Sequence, residues 1–195
     1  MGDLVTNPSL TDRMIRAARL DIGVYNEVEA DLNATNQALT VVVVTAIAGG
    51  LGSAIGQAIA GRPNGVIGGL IGGVLTELIG WAVWSYVMYL VGTRVFHGTA
   101  TYGELLRTLG FAYSPGVLLI LRFIPVLGGL ITAVVGVWRI VAGFIAIREA
   151  LDLDNGNTLA TIVVGIIGYL VVLFIIGAIL VALGVGAAAV TGGLS

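Results

Sequence analysis

The chain has no cysteine, no lysine, a single histidine and four prolines, and only 10% of its 195 residues are charged. Without cysteine there is no disulfide, thiolate nucleophile or cysteine metal site. His97 alone cannot build a multi-histidine metal centre. The nine cations are all arginine against eleven acids, a net charge of −2, and no basic tract is present to meet the phosphates of a nucleic acid. Nucleic acid is therefore excluded as a partner. His-Glu-x-x-His and Gly-x-Ser-x-Gly are both missing, and every aspartate falls in a tail or connection. The chain reads as non-enzymatic, with no catalytic residues, metal or cofactor expected.

What is present is apolar. Hydrophobic residues make up 57% of the chain, and the mean hydropathy is +1.04. Soluble domains carry about 45 to 50% apolar and about 25% charged residues. The thirty glycines fit the same medium, because glycine is enriched in membrane helices, where it lets backbones approach closely. Abundant Arg, Ala and Gly without Lys is the composition of a GC-rich prokaryotic coding sequence.

Residues 1–37 are polar, with six acids and with Arg13, Arg16 and Arg19. The segment is too long and too acidic for the n-region of a signal peptide and is expected to be retained. Ser9-Leu10-Thr11-Asp12 can cap a helix, on which Leu10, Met14, Ala17, Ala18 and Ile22 share one face beside the arginines. Two readings stand: an interfacial helix whose Arg13, Arg16 and Arg19 contact the membrane surface, or a solvated helix.

Residues 38–195 form the expected membrane domain. Charge-poor runs at about 38–60, 66–96, 105–121, 124–147 and 159–190 are the candidate spans, since a hydrocarbon core of about 30 Å takes about 20 helical residues. Gly80 and Gly177 are candidate soft points in the two overlong runs. The third run is short and contains Pro115, so it either crosses fully or re-enters. Gly61 to Gly65 reads as a turn, Thr101 with Glu104 as a capping box, and Asn157 or Thr158 as the cap of the last helix. The expected architecture is an all-α membrane protein, a five-helix transmembrane bundle preceded by a cytoplasmic amphipathic helical segment.

Five spans put the termini on opposite sides. Arg13, Arg16, Arg19, Arg94, Arg107 and Arg148 collect on one side against Arg62 and Arg122 on the other. By the positive-inside rule the N-terminus is cytoplasmic and the C-terminus outside, in a prokaryotic inner membrane. No inverted repeat marks a secondary transporter.

Two charges lie inside spans, Glu77 and Arg139. A charge at a lipid-facing helix centre costs at least about 2.5 kcal/mol, so each is expected to face protein or water. Counting helical rise places Glu77 about 16 Å and Arg139 about 22 Å below the outer ends of their runs, a gap that arginine can bridge. The expected ion pair is either a fold-specifying lock or a proton or cation site. Glycines at Gly52 and Gly56, at Gly69 and Gly73, and beside Arg139 at Gly136 and Gly143 make small-residue stripes for helix contact, within the chain or between chains. Trp81, Trp84, Trp138, Tyr86, Tyr89 and Tyr113 are expected in the bundle core or at the membrane interface.

Three passages together resemble the Yip family of multispan membrane proteins, in its bacterial branch. They are Arg13-Met14-Ile15-Arg16 through Leu20-Asp21, with Tyr25 and Ala38-Leu39; Thr101 to Arg107 running into Gly110-Phe111-Ala112-Tyr113-Ser114-Pro115; and Trp138 leading to Arg148-Glu149-Ala150-Leu151-Asp152-Leu153. The resemblance implies five helices, a cytoplasmic N-terminus and a family motif at Gly110, Phe111 and Pro115. The Asp-Leu-Tyr-Gly-Pro signature of eukaryotic members is replaced by a valine run within Thr40 to Thr45, so their Rab-GTPase binding does not carry over. The reading is a scaffold or membrane-shaping protein that binds lipids or an unidentified membrane or cytoplasmic protein, with homo-oligomerisation open. The alternative is a small transporter or channel built on Glu77 and Arg139.

Overall fold

Short polar side chains open four of the helices. Ser9 accepts from the Asp12 amide at 3.1 Å and Asp21 from the Gly23 amide at 2.9 Å. Thr101 and Glu104 close a reciprocal capping box. The computed structural model describes residues 8–61 and 66–182, without the side chains of 66–69, 180 and 182. Its elements are α1 (Leu10–Ala18), α2 (Ile22–Ala30), α3 (Ala34–Ile59), α4 (Val66–Arg94), α5 (Tyr102–Ala112), a 3-10 segment (Ser114–Phe123), α6 (Leu127–Leu151) and α7 (Asn155–Ala182). No strand occurs among the described residues.

Among the described residues, five stretches are long and apolar enough to cross a membrane: Ala34–Ile59, Leu70–Arg94, Tyr102–Phe123, Leu127–Leu151 and Asn155–Ile179. The first helix starts at Ala34, inside the segment read as polar. The second run ends at Arg94 rather than 96, and the fourth starts at Leu127 rather than 124. The last begins at Asn155 because Asp154, not Asn157 or Thr158, takes the first amides, those of Gly156 at 2.8 Å and Asn157 at 3.0 Å. Gly80 and Gly177 sit within unbroken helices. The turn expected over Gly61 to Gly65 lies outside the described residues beyond Gly61, as does the last run beyond 182.

Proline divides the third crossing into two kinds of helix. Pro115 has no amide to give the Phe111 carbonyl, and its ring crowds that turn. The Ser114 hydroxyl donates to the Phe111 carbonyl at 2.6 Å instead, and the chain continues as a 3-10 helix to Phe123. α5 is the central strut, with Leu105, Leu109 and Phe111 buried and with α1, α2, α3, α4 and α6 around it. At Gly110 a Cβ would stand 2.6 Å from the Ala38 Cβ, so glycine sets how closely α3 approaches α5.

The N-terminal segment is a hairpin of two short helices, with Ile22 opening the second rather than continuing the first. Its apolar face is turned into the bundle. Ala17, Val24, Tyr25 and Val28 join the main core, and side chains from the spans cap the carbonyl ends of both helices. Trp138 donates to the Ala18 carbonyl at 2.7 Å, while Arg107 donates to the carbonyls of Val28 at 2.9 Å and of Glu29. α7 lies at the periphery against α4 and, less, α6, and most of its apolar surface is uncovered.

Candidate intramembrane site

Glu77 and Arg139 meet: the Arg139 Nη2 donates to Glu77 Oε1 at 2.6 Å. Since α6 starts at Leu127, Arg139 lies about 18 Å from its helix end and Glu77 about 16 Å from its own. The offset to be bridged is smaller than the sequence implied. α5 packs on both α4 and α6, and its C-cap residue Tyr113 lies under the arginine. The Arg139 guanidinium carbon stands 3.8 Å from the centroid of the Tyr113 ring. A delocalised cation held between a carboxylate and an aromatic face satisfies its charge with little water.

The cluster is not fully dry, since the Arg139 and Glu77 side chains retain 25% and 32% of their exposure. They form the inner wall of a cavity of about 260 Å³ that runs towards the end of the bundle distal to the hairpin. Thr45, Ser53, Gly73, Leu119 and Arg122 line it as well. Glu77 and Tyr113 also border a second cavity of about 400 Å³ with Thr76, Trp84 and Tyr169. Towards the hairpin, Arg139 and Tyr113 instead meet a cavity of about 340 Å³ whose walls are Trp84, Leu109, Phe144, Ile147 and Ile162. The lining thus changes at the ion pair from a mixture of polar and small residues to an almost wholly apolar wall.

The glycine stripes divide by role. At Gly52 a Cβ would overlap the Leu119 carbonyl, and at Gly56 one would stand 3.6 Å from the Phe123 Cα, so both seat α3 on the 3-10 segment. Around Gly73, Gly136 and Gly143 a Cβ would meet nothing within 4 Å. These three make no close helix contact within the chain, which leaves contact between chains as the other half of the expectation. Gly73 and Gly143 leave room beside the ion pair, on the polar and apolar sides respectively. The side-chain surroundings of Gly69 are outside the described residues.

The three N-terminal arginines separate as well. Arg13, 2% exposed, is turned into the chain: it donates to Glu27 and Asp31, each at 2.8 Å, and to Gln37 at 2.8 Å. Arg16 binds Asp21 at 2.8 Å and Glu27 at 2.7 Å. Arg16 also has Asp12 on its own helix at 3.8 Å, but the closer acid partners of both arginines come from the next helix and the turns beside it, which a search along one helix face does not reach. Arg19 is exposed. Burial pulls the Arg13 guanidinium down, but its hydrogen bonds to Glu27 and Asp31 prevail and raise it above its ordinary value. Glu27 shows the converse, pushed up by burial and held low by Arg16 and Arg13.

Of the motif residues, Phe111 is fully buried, and Gly110 and Pro115 set the helix approach and the change of helix type. Arg107 was not singled out as a site residue, although it is buried and anchors the hairpin. Its signal was a charge on an otherwise apolar face, three residues after a capping box. Trp81 donates to the Leu106 carbonyl at 3.2 Å, Trp84 meets Tyr169 edge-on at 5.7 Å, and Tyr86 and Tyr89 cluster with Tyr102.

The family model of the Yip1 domain matches residues 25–179. That range takes in α3 to α6, the Glu77, Tyr113 and Arg139 cluster and all but the end of α7. No curated protein and no solved structure shows a significant match.

Proposed function

The chain belongs to the Yip1-domain family of membrane proteins, and from that premise we propose that it is a non-enzymatic, lipid-interacting scaffold that shapes or organises its bilayer. The observation that carries this reading is the change of lining at the ion pair. Thr45, Ser53 and Arg122 give the distal cavity polar groups among small residues, whereas the cavity on the hairpin side is walled by aromatic and aliphatic residues. Beyond it the hairpin plugs the bundle with Tyr25 and Val28. A conducting path needs polar lining from one side to the other. The uncovered apolar flank of α7 offers area to lipid or to a second membrane helix, including one from another copy.

In this reading the hairpin end is cytoplasmic and the membrane is a prokaryotic plasma membrane. Arg94, Arg107 and Arg148 lie at the hairpin end with Arg13, Arg16 and Arg19, which supports that orientation.

The rival reading is a transporter, favoured by the partial exposure of Glu77 between two cavities. Reconstitution into vesicles separates the two. The scaffold reading expects altered vesicle size and curvature without dissipation of an imposed proton or potassium gradient. Gradient dissipation that Glu77→Gln abolishes would replace it with the transporter reading.

A further inference from the structure

Arg122 stands at the distal end of the third crossing, next to its last residue, Phe123. This is headgroup depth, where arginines of membrane helices ordinarily end. Its stem lies against α3, so that a Cβ at Gly52 would come 2.9 Å from the Arg122 Cγ. The side chain lines two cavities at once. One is the polar cavity of about 260 Å³ that ends at Glu77 and Arg139. The other is a cleft of about 430 Å³ formed with Gly56, Ile59, Phe123 and Pro125 at the bundle end.

The charges of the polar cavity do not balance. Arg139 is committed to Glu77 at 2.6 Å, and among the described residues Arg122 has no ion-pair partner. Two guanidiniums therefore face one carboxylate. Ser53 adds a hydroxyl that, among the described residues, only accepts, from Gln57 at 3.5 Å, which leaves its proton to donate into the cavity. A cavity with net positive charge and a free hydroxyl donor at headgroup depth suits an oxyanion, and arginine's planar fork matches phosphate. The volume sets the size of the occupant. Pockets for drug-sized molecules hold about 300 to 1,000 Å³, so this cavity takes a headgroup and leaves acyl chains outside.

We propose that the cavity between α3, α4 and the 3-10 segment binds the phosphate of an anionic phospholipid headgroup, with Arg122 as its principal contact. The proposal deepens the lipid-interacting reading and rests on it. Gly73 has a role in it, because its missing side chain keeps the cavity open four residues from Glu77.

The test titrates the purified full chain in detergent with phosphatidylglycerol, phosphatidylcholine and inorganic phosphate in separate arms, counting adducts by native mass spectrometry. Phosphatidylglycerol is expected to bind about tenfold tighter than phosphatidylcholine, with inorganic phosphate far weaker. A hydrogen bond to a charged group is worth about 1.5 kcal/mol or more, so Arg122→Gln should lower the phosphatidylglycerol affinity at least about tenfold. Gly73→Leu fills the cavity without altering a charge and should abolish the preference, with helical content unchanged in both variants. Equal binding of the two lipids, full selectivity in Arg122→Gln, or inorganic phosphate binding as tightly as phosphatidylglycerol would each overturn the assignment. If selectivity fails while vesicle remodelling persists, the headgroup site falls alone. If selectivity holds without remodelling, the site stands and the scaffold reading falls.

Discussion

The Arg107 guanidinium, buried in the third crossing, donates to the Val28 carbonyl at 2.9 Å and so joins the bundle to a helix 79 residues earlier. The carbonyls at the end of α2 have no partners within their own helix, and a cation there satisfies them and complements the helix dipole. Replacing Arg107 by leucine leaves those acceptors unmet. The expected cost to hairpin docking is about 2 kcal/mol, read as faster hydrogen exchange of α2 amides while those of α3 stay protected. Unchanged exchange in α2 would show that the contact is dispensable.

Docking should depend on pH in both directions. Glu29 is pushed up to about 7, first by burial and then by Glu104, Asp152 and Glu149, against the opposing effect of Arg107. Its protonated form favours the docked hairpin. That contribution is complete below the unfolded carboxylate value of about 4.3 and is lost as pH rises through 7. Asp21 and Asp31 are held low by hydrogen bonds from Arg16 and Arg13. Their contribution is present above the ordinary carboxylate range and lost as pH falls below it. Hairpin protection measured across pH should therefore peak at about 4 to 5, decline as pH rises to 7 and level off above it, and Glu29→Gln should flatten only that decline.

Glu77→Gln, Arg139→Gln and the double variant form a cycle. Removing one member of a partly buried pair leaves the other unmatched, at a cost of about 2 kcal/mol after allowance for residual exposure. The double variant should recover about 1 kcal/mol of the summed losses in thermal unfolding. Strict additivity would mean that the pair, though in contact, is not coupled.

Two glycines should respond oppositely to a methyl group. Gly110→Ala forces the new Cβ towards Ala38 and should cost about 1 to 3 kcal/mol. Gly136→Ala meets nothing within 4 Å and should leave stability unchanged or slightly raised.

The spans were legible because the need to bury backbone in hydrocarbon makes long apolar runs conspicuous, and Glu77 and Arg139 because charges within such runs stand out. The hairpin was not. Arg13 looks like a headgroup contact beside its own helix, and only the turn at Leu20 and Asp21 brings Glu27 and Asp31 to it. Nor did proximity to a charge tell a packing glycine from one that leaves space: Gly52 is pressed against Leu119 while Gly136 touches nothing, a difference set by which helix passes each. Pro115 marked a disruption, but its outcome rests on the Ser114 hydroxyl taking over the Phe111 carbonyl.

The docked hairpin also fixes a schedule for biosynthesis. Residues 10–30 leave the ribosome well before their capping partners, Arg107 and Trp138. At about 5 to 20 residues per second, the hairpin waits on the order of 5 to 20 seconds between its own emergence and that of Trp138. Throughout that interval α5 and α6, against which its second helix packs, are not yet there to cover its apolar face.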